Sequence, residues 1–319
     1  SHDTVRRLTM LAGKLNSDKI NQCTAPLLDA LSSRVIAVDG QAVRTAGKTM
    51  GAPQYFLNVY DSDNQVCLEH VLIGAKENEI TRAARLIGKI DISGAVITCD
   101  ALNTQEKFAR AILNGGADYC LALKNNHSHM YEEVRGWFKT QRSHLIEKTE
   151  TEPDKGHGRI EVRTVRVLPS SVISLNRELI DKWPGLEEGC LVEISCERTI
   201  VKTGETSTDT RYYLTSLHFD ERYIAKKLMR IIRQHWRIEN SLHWVLDVTY
   251  DQDHTQCKNA EFLKGKVLVD KIAYNWVSKL QQAEEEETGK DASSRPVWKV
   301  RMSNADGALR YLAKLHGKD

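Results

Sequence analysis

Three carboxylates stand where this sequence could bring side chains together for chemistry. Asp39 follows the apolar run Val35-Ile36-Ala37-Val38, and Asp100 follows Ala95-Val96-Ile97-Thr98-Cys99. Each run reads as a short buried strand that ends on its acid. The ends of buried strands are where ligands bind and where a charged group reaches solvent. Two carboxylates converging at one sheet edge repel each other and favour a divalent cation held by hard oxygen ligands, although each alone also reads as the aspartate of a turn or cap. Glu239 is the third, in Gln234-His235-Trp236-Arg237-Ile238-Glu239-Asn240-Ser241-Leu242-His243. On a helix, His235, Trp236, Leu242 and His243 share its face, and Asp247 lies two turns on. That face should be partly buried, so the carboxylate needs a partner. A cation shared with Asp39 and Asp100 supplies one; a salt bridge to an arginine on a surface helix supplies another.

The elements that must position these acids are legible in outline. After helical periodicity over residues 4–31 come the first buried strand and a hairpin, residues 55–60 and 66–73 around Asp61-Ser62-Asp63-Asn64. An amphipathic helix follows at 76–90, then the strand ending at Asp100. Thr104 to Asn114 reads as a helix with Thr104 as its N-cap and Gly115-Gly116 as its stop. A third buried strand spans 118–124, and another helix runs from Ser128 to Lys139. Antiparallel strands followed by α/β alternation predict a mixed α/β fold, a sheet flanked by helices. From 140 to 220 the texture turns to β: residues 158–168 alternate with period two, and 190–201 and 210–217 are further strands around Lys202-Thr203-Gly204-Glu205. Helices return over 221–244 and 260–283, while Glu284–Glu287 and the residues to Arg295 read as a linker before a short final helix. The expected division is an N-terminal helical segment (1–33), the first part of a core (34–139), a β-rich insertion (140–220), a helical completion of the core (221–283), and a linker with a C-terminal helix (284–319).

Composition narrows the function classes. With 319 residues and 41% hydrophobic content, wholesale disorder is excluded. No uninterrupted apolar run approaches the roughly 18 residues of a bilayer span, and no secretory signal opens the chain. The seven cysteines (Cys23, Cys67, Cys99, Cys120, Cys190, Cys196, Cys257) include no C-x-x-C pair and read as free thiols of a reducing compartment. His254 and Cys257, with His243, have usable zinc spacing but no evident fourth ligand. Net charge is only +2, but residues 221–237 hold six basic side chains, Arg230, Arg233 and Arg237 among them, against one acid. Such a segment suits a polyanion, and equally a solvated helix face. Trp236 and Trp244 at helical spacing read as core before they read as base-stacking platforms.

Five motifs in order, VIAVDG, VITCDA, LALKNN, GHGRIEVR and HWRIENSLHWVLDV, resemble the DDE transposases of bacterial insertion sequences, in particular the H-repeat-associated group. The similarity runs from Ser1 to about Trp276. Asp39, Asp100 and Glu239 fall on that family's catalytic aspartate, aspartate and glutamate, 61 and 139 residues apart. The long second interval accommodates the β-rich insertion. The resemblance implies a ribonuclease H-like sheet with flanking helices, interrupted by that insertion before the final catalytic helix. It also implies a DNA-cutting and strand-joining enzyme that uses two Mg²⁺ ions, with Mn²⁺ as a substitute, about 4 Å apart and held by the three acids. Double-stranded DNA, both terminal repeats and target, is the implied partner. Resemblance and charge together suggest Arg159 and Arg163 as phosphate contacts, against surface arginines of a hairpin; Lys124 beside the site suits a phosphate or equally a plain loop; and Arg230, Arg233 and Arg237 are candidates from the charge of their segment. A homodimer in the synaptic complex and a cytoplasmic, nucleoid-associated location follow from the same resemblance. The chain opens Ser1-His2-Asp3-Thr4, and relatives carry a helical segment upstream, so a preceding segment is expected. Gln41 stands where the family has a lysine after Asp-Gly, and His127 and Gln256 depart from the pattern at two further positions. These departures suit a derivative that binds DNA without catalysis, and a metal-dependent nuclease without strand transfer is the other alternative.

Overall fold

A computed structural model describes residues 7, 9–12, 34–52, 54–73, 79–100, 104–154, 158–173 and 177–289. Of the helical stretch expected over residues 4–31, residues 7 and 9–12 are described and helical; the rest of it, and the short helix expected in the last twenty residues, lie outside the described residues. The chain divides into two compact units: one takes residues 1–31, 39–77 and 237–319, the other 32–38 and 78–236. Strand β1 (Val35–Ala42) contributes its first half to the second unit and its second half to the first. The strand order is β3-β2-β1-β4-β5-β9-β8-β7-β6, a mixed sheet in which an antiparallel hairpin comes first and parallel strands follow, the ribonuclease H-like arrangement the sequence implied.

In the first unit, helix α1 (Arg44–Met50) separates β1 from the hairpin of β2 (Tyr55–Asp61) and β3 (Val66–Ile73). Asp61 makes the hairpin turn: its carboxylate accepts from the backbone N–H groups of Asp63 and Asn64 and from the Asn64 amide. The core of this unit gathers Val43, Ala46, Phe56, Leu263 and Val267. Within β3, His70 is buried and the Glu69 carboxylate accepts its backbone N–H. Burial, with the Lys271 ammonium second, holds the His70 pKa well below the usual histidine value. The unfolded chain takes up this proton near pH 6.5 while the native state refuses it, so stability is lost as pH falls through 6.5. Urea melts at pH 7.5 and pH 5 should show a smaller acid penalty in His70→Phe than in the wild type; equal penalties would remove this group from the acid response.

In the second unit, helix α2 (Glu79–Ile87) precedes β4 (Val96–Cys99), α3 (Glu106–Asn114) and β5 (Asp118–Leu123). The N-cap of α3 is Gln105, not Thr104. Thr104 is fully buried, and its hydroxyl donates to the Ala122 carbonyl at 2.6 Å, so a buried strand carbonyl has claimed the group expected to cap the helix. Helix α4 (Ser128–Thr140) leads into β6 (Ile146–Asp154), β7 (Arg159–Pro169), the short α5 (Arg177–Lys182), β8 (Cys190–Ile200) and β9 (Thr206–Thr215). The β-rich stretch continues the sheet, because β9 pairs antiparallel with β5 on one side and with β8 on the other. Helix α6 (Ile224–His235) covers it, burying Leu228, Met229, Ile231 and Ile232 against Val165, Val167, Val192 and Tyr213.

Beyond α6 the helical path widens into a π-helical segment, Ile238–His243, in which the Trp244 N–H bonds to the Glu239 carbonyl five residues back. Helices α7 (Trp244–Val248) and α8 (Ala260–Thr288) complete the first unit, α8 capped by Asn259 Oδ1 accepting from the Phe262 N–H. The acidic run Glu284–Glu287, read from composition as linker, is the last turn of α8. Cys67, Cys99, Cys120 and Cys190 are buried free thiols, whereas Cys196 and Cys257 are half-buried. Among the described residues, no helix is long and apolar enough to cross a membrane.

Candidate active site

Asp39 lies inside β1 rather than at its end, because the strand continues to Ala42. Pairing with β4 nevertheless stops just before it: the last parallel partners are Val38 and Cys99, and the next residue along each strand is an aspartate, Asp39 and Asp100. The two belong to different compact units, and Glu239 shares a unit with Asp39.

In the first unit, the Asp39 side chain retains about 19% exposure, and its Oδ2 faces His243 Nδ1 at 3.7 Å. Glu239 is exposed, one residue into the π-helical segment; the widened turn buries Ile238 and Leu242 while leaving Glu239 and Asn240 toward solvent. Behind His243 is a polar cluster that sequence reasoning missed. Asn58 lies at the centre of β2, fully buried, with its Nδ2 2.9 Å from His243 Nε2 and 3.5 Å from Gln41 Oε1. Gln41 Nε2 donates in turn to Asp247 Oδ1 at 2.9 Å. Lys271 of α8, also fully buried, donates to Asn58 Oδ1 and lies over the Phe56 ring at 5.2 Å. The signal was available: a polar residue within an apolar strand, as in Phe56-Leu57-Asn58-Val59, must find partners inside the protein.

In the second unit, Asp100 directly follows β4 and Lys124 directly follows β5, its parallel neighbour. Their ends meet at the same edge, and Lys124 Nζ donates to Asp100 Oδ1 at 2.6 Å. His235, at the end of α6, is 3.0 Å from the Thr98 hydroxyl through Nδ1. Burial pulls its pKa down to about 4, against the opposing pull of Asp100, so it is neutral at physiological pH. Arg211 stacks over the Trp236 ring at 4.4 Å. Trp244, expected in the core, is 56% exposed.

The predicted phosphate contacts divide into two groups. Arg230, Arg233 and Arg237 point to solvent along the basic segment; Arg233 reaches Glu150 of β6 at 3.6 Å, and Arg237 donates to the Ser62 carbonyl. Arg159 and Arg163 share one face of β7, as period two requires, but the residue between them on that face is Glu161. Its nearly buried carboxylate takes ion pairs from Arg159, Arg163 and Arg198, so the arginines of this strand are engaged within the sheet. His254, considered for zinc, pairs with Asp251 at 2.7 Å. Among the described residues, no three His, Cys, Asp or Glu side chains are drawn together into a ready-made metal site.

The family described as the Transposase DDE domain matches residues 30–276, which includes all three carboxylates and most of the chain. This chain is a member of the DDE transposase family. It is 30% identical over 288 residues to "Putative transposase YncI" of Escherichia coli O157:H7, covering 86% of this chain and 69% of that protein. It is also 30% identical over 279 residues to the "H repeat-associated putative transposase YhhI" of Escherichia coli K12, covering 83% and 70%. Among solved structures, the piggyBac transposase in a synaptic complex with hairpin DNA matches at a TM-score of 0.46 and 12% identity, over 93% of this chain and 54% of that one. Within this transposase family the H-repeat-associated relatives are therefore the group that the sequence motifs singled out.

Proposed function

We propose that this chain is the catalytic part of an insertion-sequence transposase, which cuts phosphodiester bonds at the element's terminal repeats and joins the 3′-OH ends to target DNA. Asp39, Asp100 and Glu239 are its reaction carboxylates. The observation that carries this reading is the aspartate placed immediately after the last paired residue of both β1 and β4, in a chain of the DDE family. Three carboxylates are a hard-oxygen donor set suited to Mg²⁺, or Mn²⁺ in its place. Lys124 Nζ on Asp100 shows that this acid already attracts a cation at short range. Bound divalent ions stabilise the attacking and leaving oxygens of an in-line displacement and lower the pKa of the attacking water.

The chain's own side chains supply the rest. His243 faces Asp39, Lys124 offers its ammonium to a phosphate once Asp100 has another counter-ion, and the exposed arginines of the α6 segment, joined by the partly buried arginines of β7, hold the duplex. Bringing two element ends together calls for two copies of the chain. Incubating a labelled terminal-repeat duplex with the protein and Mg²⁺ tests the reading through 3′-OH cleavage products followed by strand transfer. Cleavage without joining would assign a nuclease instead, and binding with no metal-dependent product would assign a DNA-binding derivative. Arg230→Ala and Arg233→Ala should each weaken duplex binding by a similar factor on unrelated sequences. Each should also flatten the slope of log affinity against log salt by about 1, the mark of a lost phosphate contact. An unchanged slope would remove that arginine from the interface.

A further inference from the structure

The polar cluster behind Asp39 has a direction that its end groups impose. Lys271 has only protons to give, so the Asn58 atom facing it must be the carbonyl oxygen Oδ1. The Asn58 amide nitrogen therefore faces the other way, toward Gln41 Oε1 and His243 Nε2. The opposite end demands the same orientation. Asp247 accepts, so Gln41 presents its nitrogen to Asp247 and its oxygen to Asn58. An amide nitrogen 2.9 Å from His243 Nε2 donates, which requires a lone pair on Nε2. A proton there would set two donors against each other in a site where Asn58 is fully buried. The single ring proton of His243 is thus left on Nδ1, the nitrogen that faces Asp39 Oδ2 at 3.7 Å. The usual N–H···O separation of about 2.9 Å is less than 1 Å closer.

We propose that Lys271 and Asn58 form a buried relay that locks His243 as its neutral Nδ1–H tautomer, making His243 the positioning residue that orients the Asp39 carboxylate. The role given to Asp39 rests on the proposed function; the tautomer does not. Lys271 remains largely an ammonium at pH 7, since burial brings its pKa to about 8. Gln41 belongs to the same relay through its bonds to Asn58 and Asp247, which accounts for its burial.

Long-range ¹H–¹⁵N spectra of protein labelled at histidine, with His243 assigned by its loss in His243→Gln, should show at pH 7 a protonated Nδ1 and an unprotonated Nε2. A protonated Nε2 in the wild type overturns the relay, whether or not any variant folds. Asn58→Asp keeps the acceptor for Lys271 but turns the donor facing Nε2 into an acceptor, so the proton should appear on Nε2; an unchanged spectrum overturns the relay as well. Orientation of Asp39 is read separately by calorimetric titration with Mn²⁺. His243→Ala should weaken binding about tenfold, within the range seen when a ligand's supporting hydrogen bond is removed. His243→Asn, whose amide nitrogen takes the place of Nδ1, should restore most of the loss. Equal affinity in His243→Ala and the wild type overturns the positioning role, while a wild type that binds Mn²⁺ but leaves DNA uncut overturns the proposed function and not the relay.

Discussion

Asp39→Asn and Glu239→Gln should each slow single-turnover cleavage of a terminal-repeat duplex about 1,000-fold or more, with melting temperature and circular dichroism close to wild type. The size follows from what a carboxylate does in metal-assisted phosphoryl chemistry. Charge stabilisation by bound divalent ions supplies several kcal/mol, and about 4 kcal/mol is about three factors of ten in rate. Both substitutions keep the side chain's shape while removing the charge that holds a cation. Glu239 is exposed and Asp39 only partly buried, so neither is a core element whose loss would unfold the chain. Lys124→Ala provides the contrast. Its half-exposed ammonium would give one solvent-screened phosphate contact, and exposed charge pairs of this kind contribute about 0–1 kcal/mol, so cleavage should change by less than about tenfold. Cleavage that survives in Asp39→Asn or Glu239→Gln would remove that acid from the reaction.

How far the sequence led depended on where hydrophobic burial sets the pattern. Strands β1, β2, β4 and β5 are apolar runs buried on both sides, and they were legible from composition and length. Strand β6 was not. Glu147, Lys148, Thr149 and Glu150 carry no apolar alternation, and the strand is held at the sheet edge by cross-strand pairs instead, Thr149 with Thr164 and Glu147 with Arg166. The three acids could be singled out because each adjoins an apolar element. The residues behind them could not: Asn58 and Lys271 are 213 positions apart, and only the packing of α8 on the hairpin makes them partners. Gln41 looked like a substitution in a DNA-contacting position, whereas it is buried and bonded to Asp247. The π-helical turn carrying Glu239 leaves no periodic signature, since one extra residue per turn over six positions is indistinguishable from an ordinary amphipathic helix.

Gly189→Ala, outside the candidate site, should destabilise the second unit by about 3 kcal/mol, the upper part of the range for forced overpacking. The backbone itself is no obstacle: φ of −89° at Gly189 is open to any residue. The obstacle is space. A Cβ there would lie 2.0 Å from the Thr215 carbonyl oxygen and 3.1 Å from its carbon, and a main-chain group has no rotamer with which to yield. Thr215 is a poor place to ask for movement. Its strand, β9, is hydrogen-bonded to β5 through the Cys120 pairing and to β8 through Cys190. Its own hydroxyl donates to the Tyr119 carbonyl at 2.6 Å and accepts the Leu217 N–H at 3.1 Å. Gly189 is also tied in place, its carbonyl accepting from the Ser170 N–H. Relieving the clash must therefore break register where β9 joins the β-rich stretch to the parallel core. At about 2–4 °C per kcal/mol for a unit of this size, the expected fall in melting temperature is about 6–12 °C. Gly204→Ala is the control, because its added Cβ meets nothing within 4 Å. Its cost is only the left-handed φ of +71°, about 1 kcal/mol. Equal losses in the two variants would show that the contact with Thr215 relaxes freely and that β9 is not pinned as its hydrogen bonds require.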